Sequence, residues 1–154
     1  MDRERVIAAL NRNLALEYGA VIQYLQHSYL VRGTEREVFA PFFAKQADSS
    51  LGHAKKLGEK IVALGGVPTV EPAPVQQATT LQEMLEQDLA RERESVRAYT
   101  ETYELVQDDV ALRFLIEELI YDEQSDVEEL EKLLAQREAA AARPVSRRQR
   151  AAGA

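Results

Sequence analysis

The chain has 154 residues, which is enough for one domain with a sizeable core. It contains no cysteine, which excludes disulfides, iron–sulfur clusters, thiolate zinc sites and cysteine nucleophiles. The formal net charge of −7 argues against nucleic-acid binding by the body of the protein. No apolar run approaches the roughly 18 residues that span a bilayer, and the charged start at residues 1–5 leads into no apolar signal core, so we expect a cytoplasmic protein.

The first two predicted helices are joined by a short link. Asp2 is placed to cap the first helix, which ends before Gly33. Thr34 with Glu37 forms a capping box that opens the second helix. Pro41 lies inside that helix and predicts a kink or irregular first turns.

A long connection separates these helices from the next two. The second helix ends at Gly65–Gly66, and residues 65–79 also carry three prolines, which predicts an extended segment. Thr80 with Glu83 is a second capping box and opens the third helix. The pair Asp108–Asp109 marks a short break and caps the fourth helix.

These signals predict an all-α fold with helices at about residues 3–31, 35–64, 81–107 and 110–137. Short links pair neighbouring helices into two antiparallel hairpins, and the long connection crosses over between the hairpins. We therefore expect one four-helix bundle over residues 1–137. Residues 138–154 are rich in Ala and Arg and have little apolar surface, which predicts a flexible tail.

Ionisable residues interrupt the apolar stripes that face the centre of the bundle. On each helix, the residues that face the core recur every three or four positions and form one stripe. Five ionisable residues fall within these stripes: Glu17, His53, Glu92, Glu123 and Asp126. Unpaired carboxylates in a core are destabilising by several kcal/mol and repel one another. A bound cation would neutralise them, and carboxylate and imidazole ligands suit iron, manganese or zinc.

An internal repeat relates the two hairpins. Glu17-x3-Val21-x2-Tyr24 matches Glu92-x3-Val96-x2-Tyr99, and Ser50-x2-His53-x3-Leu57 matches Glu123-x2-Asp126-x3-Leu130. Two similar hairpins packed about a pseudo-twofold axis would bring these residues to the bundle centre. Residues at i and i+3 share a helix face, so each pair in the second motif points the same way.

On these residues the chain resembles the ferritin-like superfamily, and bacterioferritin most of all. The resemblance covers about residues 3–135 and is carried by four short matches: residues 16–24, His53-Ala54, residues 88–92 and Asp122-Glu123. It implies a ferritin-like bundle with one Glu on each of two helices and Glu-x-x-His on each of the other two. By this resemblance, Glu17 and Glu92 are expected to be terminal metal ligands, His53 a nitrogen ligand and Glu123 a bridging carboxylate. Tyr24 is then a hydrogen-bond donor or redox-active tyrosine beside the metals.

This chain departs from that pattern at three positions. Ser50 stands where the family has its first bridging Glu, and Asp126 stands where it has its second His. The remaining set can hold two metals asymmetrically or only one, with iron expected and manganese or zinc possible. Leu51 replaces the methionine that binds haem in bacterioferritin, so haem is not expected.

Two functions remain open at this point. The first is a bacterioferritin-like iron-binding protein that oxidises Fe²⁺ with oxygen or peroxide, a ferroxidase-type activity, for storage or detoxification. The second is a degenerate bundle with one or no metal that acts as a structural or adaptor protein. Partners are expected to be metal ions and further copies of the chain, in a homodimer or larger assembly, with no membrane. Nucleic acid is not expected as a partner, with the basic tail from Arg137 onward as the one segment that could contact it.

Several residues also have simpler interpretations. Glu92 and Glu123 would be surface residues if the helix phase were wrong by one position, and His53 would be an ordinary core histidine. Tyr24 and Tyr99 would be core aromatics bonded to buried carboxylates. His27 falls beside the stripe and is expected at the surface or at a subunit interface.

Overall fold

Four long helices make up most of the chain that the structure describes. The computed structural model describes residues 1–143. Its helices are α1 (Arg3–Leu30), α2 (Arg36–Ala63), α3 (Leu81–Leu105) and α4 (Val110–Ala141). Close packing joins α1 to α2, α3 to α4, and α1 to α3, so the predicted bundle of two hairpins is confirmed. Across residues 1–143, none of the helices combines the length and apolarity needed to cross a membrane.

Side-chain caps begin three of the four helices as predicted. Asp2 accepts a hydrogen bond from the backbone of Arg5 at 3.2 Å in α1. Thr80 accepts from the backbone of Glu83 at 3.2 Å in α3. Asp109 caps α4 in the same way, at 2.9 Å. Each cap satisfies a backbone N–H that has no partner within its helix.

The start of α2 differs from the prediction. The expected capping box of Thr34 and Glu37 is not formed; Glu35 is the capping residue, and its side chain makes no capping hydrogen bond. The link is so short that the first turn of α2 lies against the end of α1. There the guanidinium of Arg36 donates to the backbone carbonyl of Val31 at 2.8 Å and so satisfies the end of α1.

The last helix extends four residues past its predicted end at 137. The additional turn consists of Glu138 and three alanines, and alanine has the highest helix propensity. Arg137 fixes this end of α4 by donating to Glu35 at 2.6 Å and to Gln82 at 3.1 Å. The predicted flexible tail lies outside the described residues from position 144 onward.

The long connection between α2 and α3 runs along the outside of α1. The amide side chain of Asn11 donates to the carbonyl of Val67 at 3.1 Å and accepts from the backbone of Thr69 at 2.7 Å. Farther along, Gly19 allows a close approach, because a Cβ at this position would lie 2.9 Å from the carbonyl oxygen of Ala73. The crossover is therefore held against the helix that supplies the first carboxylate of the site.

A polar layer divides the hydrophobic core into two clusters. On α1, Leu14 belongs to one cluster and Ala20 to the other, with the buried Glu17 between them. On α4, Leu119 and Val127 flank Glu123 in the same way. The two clusters close off both ends of the layer, so the ionisable residues lie in the middle of the bundle.

Candidate metal centre

All five ionisable residues predicted from the stripes meet in the middle of the bundle. They form two groups that share Glu123, and within each group the ligand atoms lie within 4.8 Å of one another. We call Glu17, His53 and Glu123 the His53 half-site, and Glu92, Glu123 and Asp126 the Asp126 half-site. Only Asp126 retains appreciable contact with solvent; the other four are at most 5% exposed.

His53 is aimed into the first half-site. Its Nδ1 lies 2.7 Å from Glu123 Oε1 and 3.4 Å from Glu17 Oε1. Despite these short distances, Nδ1 is buried and makes no hydrogen bond of acceptable geometry. The other ring nitrogen, Nε2, lies 3.2 Å from Asp122 Oδ2 near the surface. A carboxylate behind a histidine in this way orients the ring and its free nitrogen.

The second half-site contains only oxygen donors. Glu92 comes from α3, and both Glu123 and Asp126 come from one face of α4. Gln46 of α2 donates its side-chain amide to Asp126 Oδ1 at 3.3 Å and holds this carboxylate toward the centre. Four helices therefore contribute to the two half-sites.

Hydrogen bonds between α1 and α3 hold the glutamates in place. Tyr24 of α1 donates to Glu92 at 2.5 Å, and Tyr99 of α3 donates to Glu17 at 2.6 Å. Both hydroxyls are buried, so the prediction of core tyrosines bonded to the carboxylates agrees with their positions. Each tyrosine crosses to the opposite helix, which ties the two hairpins together at the level of the site.

The surface position predicted for His27 is wrong. His27 is fully buried, and its Nδ1 lies 2.9 Å from Oδ2 of the equally buried Asp88. Asp88 also accepts from the side chain of Gln23 at 2.8 Å. The prediction assumed that α1 buries one narrow stripe of residues. In the structure α1 packs against both α2 and α3, so it buries a wider face that includes His27.

Burial and mutual repulsion favour the protonated forms of the central carboxyl groups. Burial is the main reason that the pKa of Glu92 rises from 4.5 to about 7. Burial, followed by the charges of Glu92 and Glu17, raises the pKa of Glu123 well above its ordinary range. Burial also raises the pKa of Asp126. Among residues 1–143, the only salt-bridge partner of these carboxylates within 4.0 Å is His53.

Comparisons with known proteins agree with this architecture. The sequence profile of the ferritin-like domain matches residues 7–139. The chain belongs to the ferritin-like family.

Individual relatives extend this result. A curated bacterioferritin from Brucella melitensis is 31% identical over 133 residues, which cover 84% of this chain and 83% of the relative. A nutrient stress-induced DNA-binding protein from Synechococcus is 31% identical over 129 residues, which cover 75% of this chain and 73% of that protein. A solved ferritin-like, diiron-carboxylate protein from Bacillus anthracis strain Ames superposes with a TM-score of 0.84 at 38% identity, covering 87% of this chain and 98% of that one.

Within this ferritin-like bundle, Ser50 is buried one turn before His53, at the position where the sequence pattern calls for a carboxylate. Its neutral hydroxyl leaves the α2 side of the site with His53 as the only ligating group. Asp48 is exposed, which agrees with its place off the inward stripe and makes it no substitute.

The donor set nevertheless fits divalent cations. Four carboxylates and one imidazole suit iron, manganese or zinc, and the unpaired, buried Nδ1 of His53 would be satisfied by a cation between it and Glu17.

Sequence reasoning did not identify Asp122 and Gln46 as the residues that orient His53 and Asp126. Gln46 was visible in the α2 stripe and Asp122 adjoins Glu123, but only the packing of α2 opposite α4 reveals their partners.

The metal-free protein should lose stability as the pH rises from about 5 to 8. Up to a pH of about 7 the folded protein retains a proton on Glu92, whose pKa is about 7, whereas the unfolded chain loses it near the ordinary value of 4.5. Each proton held only by the folded state lowers the free energy of unfolding by about 1.4 kcal/mol per pH unit of increase. The pKa of His53 is also raised: burial lowers it, but the neighbouring carboxylates of Glu17 and Asp122 outweigh that effect. This histidine therefore adds to the same slope.

Urea unfolding in the presence of a chelator, repeated at several pH values, measures this slope. Glu92→Gln should flatten it, whereas Glu129→Gln, a change at an exposed position on α4, should leave it unchanged. A stability that rises with pH over this range would contradict the protonation state described above.

Proposed function

We propose that this protein binds Fe²⁺ in the middle of its bundle and oxidises it for iron storage or detoxification. The observation that carries the proposal is that four carboxylates and one unpaired imidazole nitrogen meet in one buried layer where, within residues 1–143, no Lys or Arg forms a salt bridge to them. The names of the bacterioferritin and diiron-carboxylate relatives support iron as the cation.

The chemistry requires little of the protein beyond positioning. Two Fe²⁺ ions each lose one electron, and one oxygen molecule takes up two electrons and two protons to give hydrogen peroxide. With peroxide as the oxidant, two electrons and two protons give two water molecules. Hard carboxylate oxygens favour the more highly charged Fe³⁺. Tyr24 and Tyr99 hold Glu92 and Glu17 in orientation for both ions.

Anaerobic Fe²⁺ should raise the melting temperature of the metal-free protein. Ligands that bind only the folded state stabilise it, by about 2.7 kcal/mol at a hundredfold excess over the dissociation constant. Glu123→Gln should abolish most of this shift, because Glu123 belongs to both half-sites. Glu129→Gln serves as the matched control on the exposed face of α4.

Elemental analysis of the purified protein completes this test. Iron bound at one to two ions per chain is the expected result. Less than one metal per chain, together with no thermal shift, would contradict the proposal and favour the structural or adaptor role.

The missing carboxylate at position 50 should slow iron oxidation. Serine is too short to bridge two ions, so the two half-sites are coupled through Glu123 alone. Ser50→Glu should raise the rate of Fe²⁺ oxidation, measured by stopped-flow absorbance, by about tenfold, a typical size for a change in the ligand environment of a metal. Ser125→Glu adds the same group on the exposed face of α4 and should have no effect. An unchanged rate in Ser50→Glu would show that the bridge is not limiting.

We also propose that the chain forms a homodimer or larger assembly through an apolar surface beside α1 and α2. We call this surface the α1–α2 face; its lining residues are Tyr18, Val21, Ile22, Leu51, Val70 and Pro72. Ile22 and Leu51 are 46% and 40% exposed, and exposed clusters of this kind mark interaction sites. Haem is not proposed at this face because Leu51 offers no sulfur ligand and Met84 is fully buried elsewhere.

Ile22→Glu should reduce the oligomeric mass by placing a charge in the interface. Val110→Glu changes a residue that is 69% exposed at the start of α4, away from the α1–α2 face, and should leave the mass unchanged. Light scattering behind a sizing column measures both. A monomeric parent protein, or an assembly insensitive to Ile22→Glu, would argue against this interface.

A further inference from the structure

The two half-sites differ in the chemistry of their donors. The His53 half-site has one nitrogen and two carboxylates, whereas the Asp126 half-site has three carboxylates and no nitrogen. We propose that the two half-sites bind different divalent cations: the His53 half-site takes Fe²⁺ or Zn²⁺, and the Asp126 half-site takes a harder, oxygen-preferring ion such as Mn²⁺. This inference rests on the proposed function, because it uses the same residues.

The nitrogen donor is fixed in one half-site. The Nε2 of His53 lies 3.2 Å from Asp122 Oδ2, which favours a proton on Nε2 and leaves the lone pair on Nδ1. Nδ1 is buried, unpaired and directed at Glu17 and Glu123. The orientation of this ring therefore presents an imidazole ligand to one ion only.

In the second half-site a neutral group, the side-chain amide of Gln46, orients the carboxylate of Asp126. The amide of Gln46, which is 9% exposed, occupies Oδ1 of Asp126 and leaves Oδ2 free for a cation. Because an amide carries no charge, Asp126 keeps its full negative charge when it is ionised. Tyr24 holds Glu92 in place through one carboxylate oxygen in a similar way.

The donor types then predict the preference of each half-site. Imidazole suits zinc and iron, whereas sites made only of carboxylate, carbonyl and water oxygens suit magnesium, calcium and manganese. Zinc still binds more tightly than manganese to most sites, but without a nitrogen donor its advantage is smaller. A first Zn²⁺ ion should therefore occupy the His53 half-site and leave the other half-site available to Mn²⁺.

Sequential titration of the metal-free, full-length protein tests this assignment. One equivalent of Zn²⁺ is added first, and Mn²⁺ is then titrated while the electron paramagnetic resonance signal of free Mn²⁺ reports binding. We expect one Mn²⁺ per chain to bind with the Zn²⁺ retained, as elemental analysis after desalting would show.

Exchanging the donors should exchange the preferences. Asp126→His should make the second half-site resemble the first, so that two Zn²⁺ ions bind and the affinity for Mn²⁺ falls by about tenfold or more. His53→Asp should lower the affinity for the first Zn²⁺ by a similar factor. Ser125→His adds an imidazole on the exposed face of α4, next to Asp126 in sequence, and should change neither. Circular dichroism establishes that each variant is helical before metal is added.

The outcomes separate this inference from the proposed function. If the unmodified protein binds two Zn²⁺ ions with equal affinity and excludes Mn²⁺, the half-sites do not discriminate and the inference is wrong, while iron binding still stands. If no cation binds at either half-site, both the inference and the proposed function fail. The titration of the unmodified protein gives this answer by itself, whatever the variants do.

Discussion

The constraint on which this structure depends is the burial of several carboxyl groups in one layer between two apolar clusters. Glu17, Glu92 and Glu123 are at most 3% exposed, and within the part of the chain that the structure describes the only basic side chain paired with them is His53. Isolated charges in such surroundings are strongly destabilising. Without metal, the burial of these groups is less destabilising because the pKa values of Glu92 and Glu123 are raised, so both keep their protons at pH values where a free carboxyl group is ionised. A cation must displace these protons, so binding of metal is coupled to pH.

The interface between α1 and α3 shows how this layer is held. Among the side-chain hydrogen bonds that cross it, four form two pairs related by an offset of 75 residues: Asn13–Thr102 at 2.8 Å with His27–Asp88 at 2.9 Å, and Glu17–Tyr99 at 2.6 Å with Tyr24–Glu92 at 2.5 Å. The two central bonds are equivalent by this offset and keep the terminal glutamates symmetric. The outer pairs are also equivalent in position but differ in chemistry, since one is neutral and the other can ionise. The symmetry between the two hairpins is therefore retained at the hydrogen bonds that position Glu17 and Glu92, and it is lost in the chemistry of the pairs farther from the site.

The sequence allowed most of the fold and the five converging residues to be predicted. Spacings of three and four placed Glu17 and Glu123 inside, because a helix that packs on a core repeats its buried positions with that period. The residues that were missed have partners on other helices. His27 pairs with Asp88 across the α1–α3 interface, and Asp122 reaches His53 from α4. A pattern along one helix cannot reveal how wide a face its neighbours bury. The capping box at Thr34 failed for a related reason, since the start of α2 is set by its contact with the end of α1.

The two departures from the ferritin-like ligand pattern are best understood together. The pattern of four Glu and two His carries four negative charges when the carboxyls are ionised. Replacing a Glu by Ser50 alone would remove one charge, and replacing a His by Asp126 alone would add one to a layer that is already crowded with carboxylates. Made together, the exchanges keep four carboxylates, which balance two divalent cations, and they reduce the nitrogen donors from two to one. The charge of the layer is thus preserved while its symmetry is lost. This is the reason to expect a centre that still accommodates two cations but no longer treats them alike.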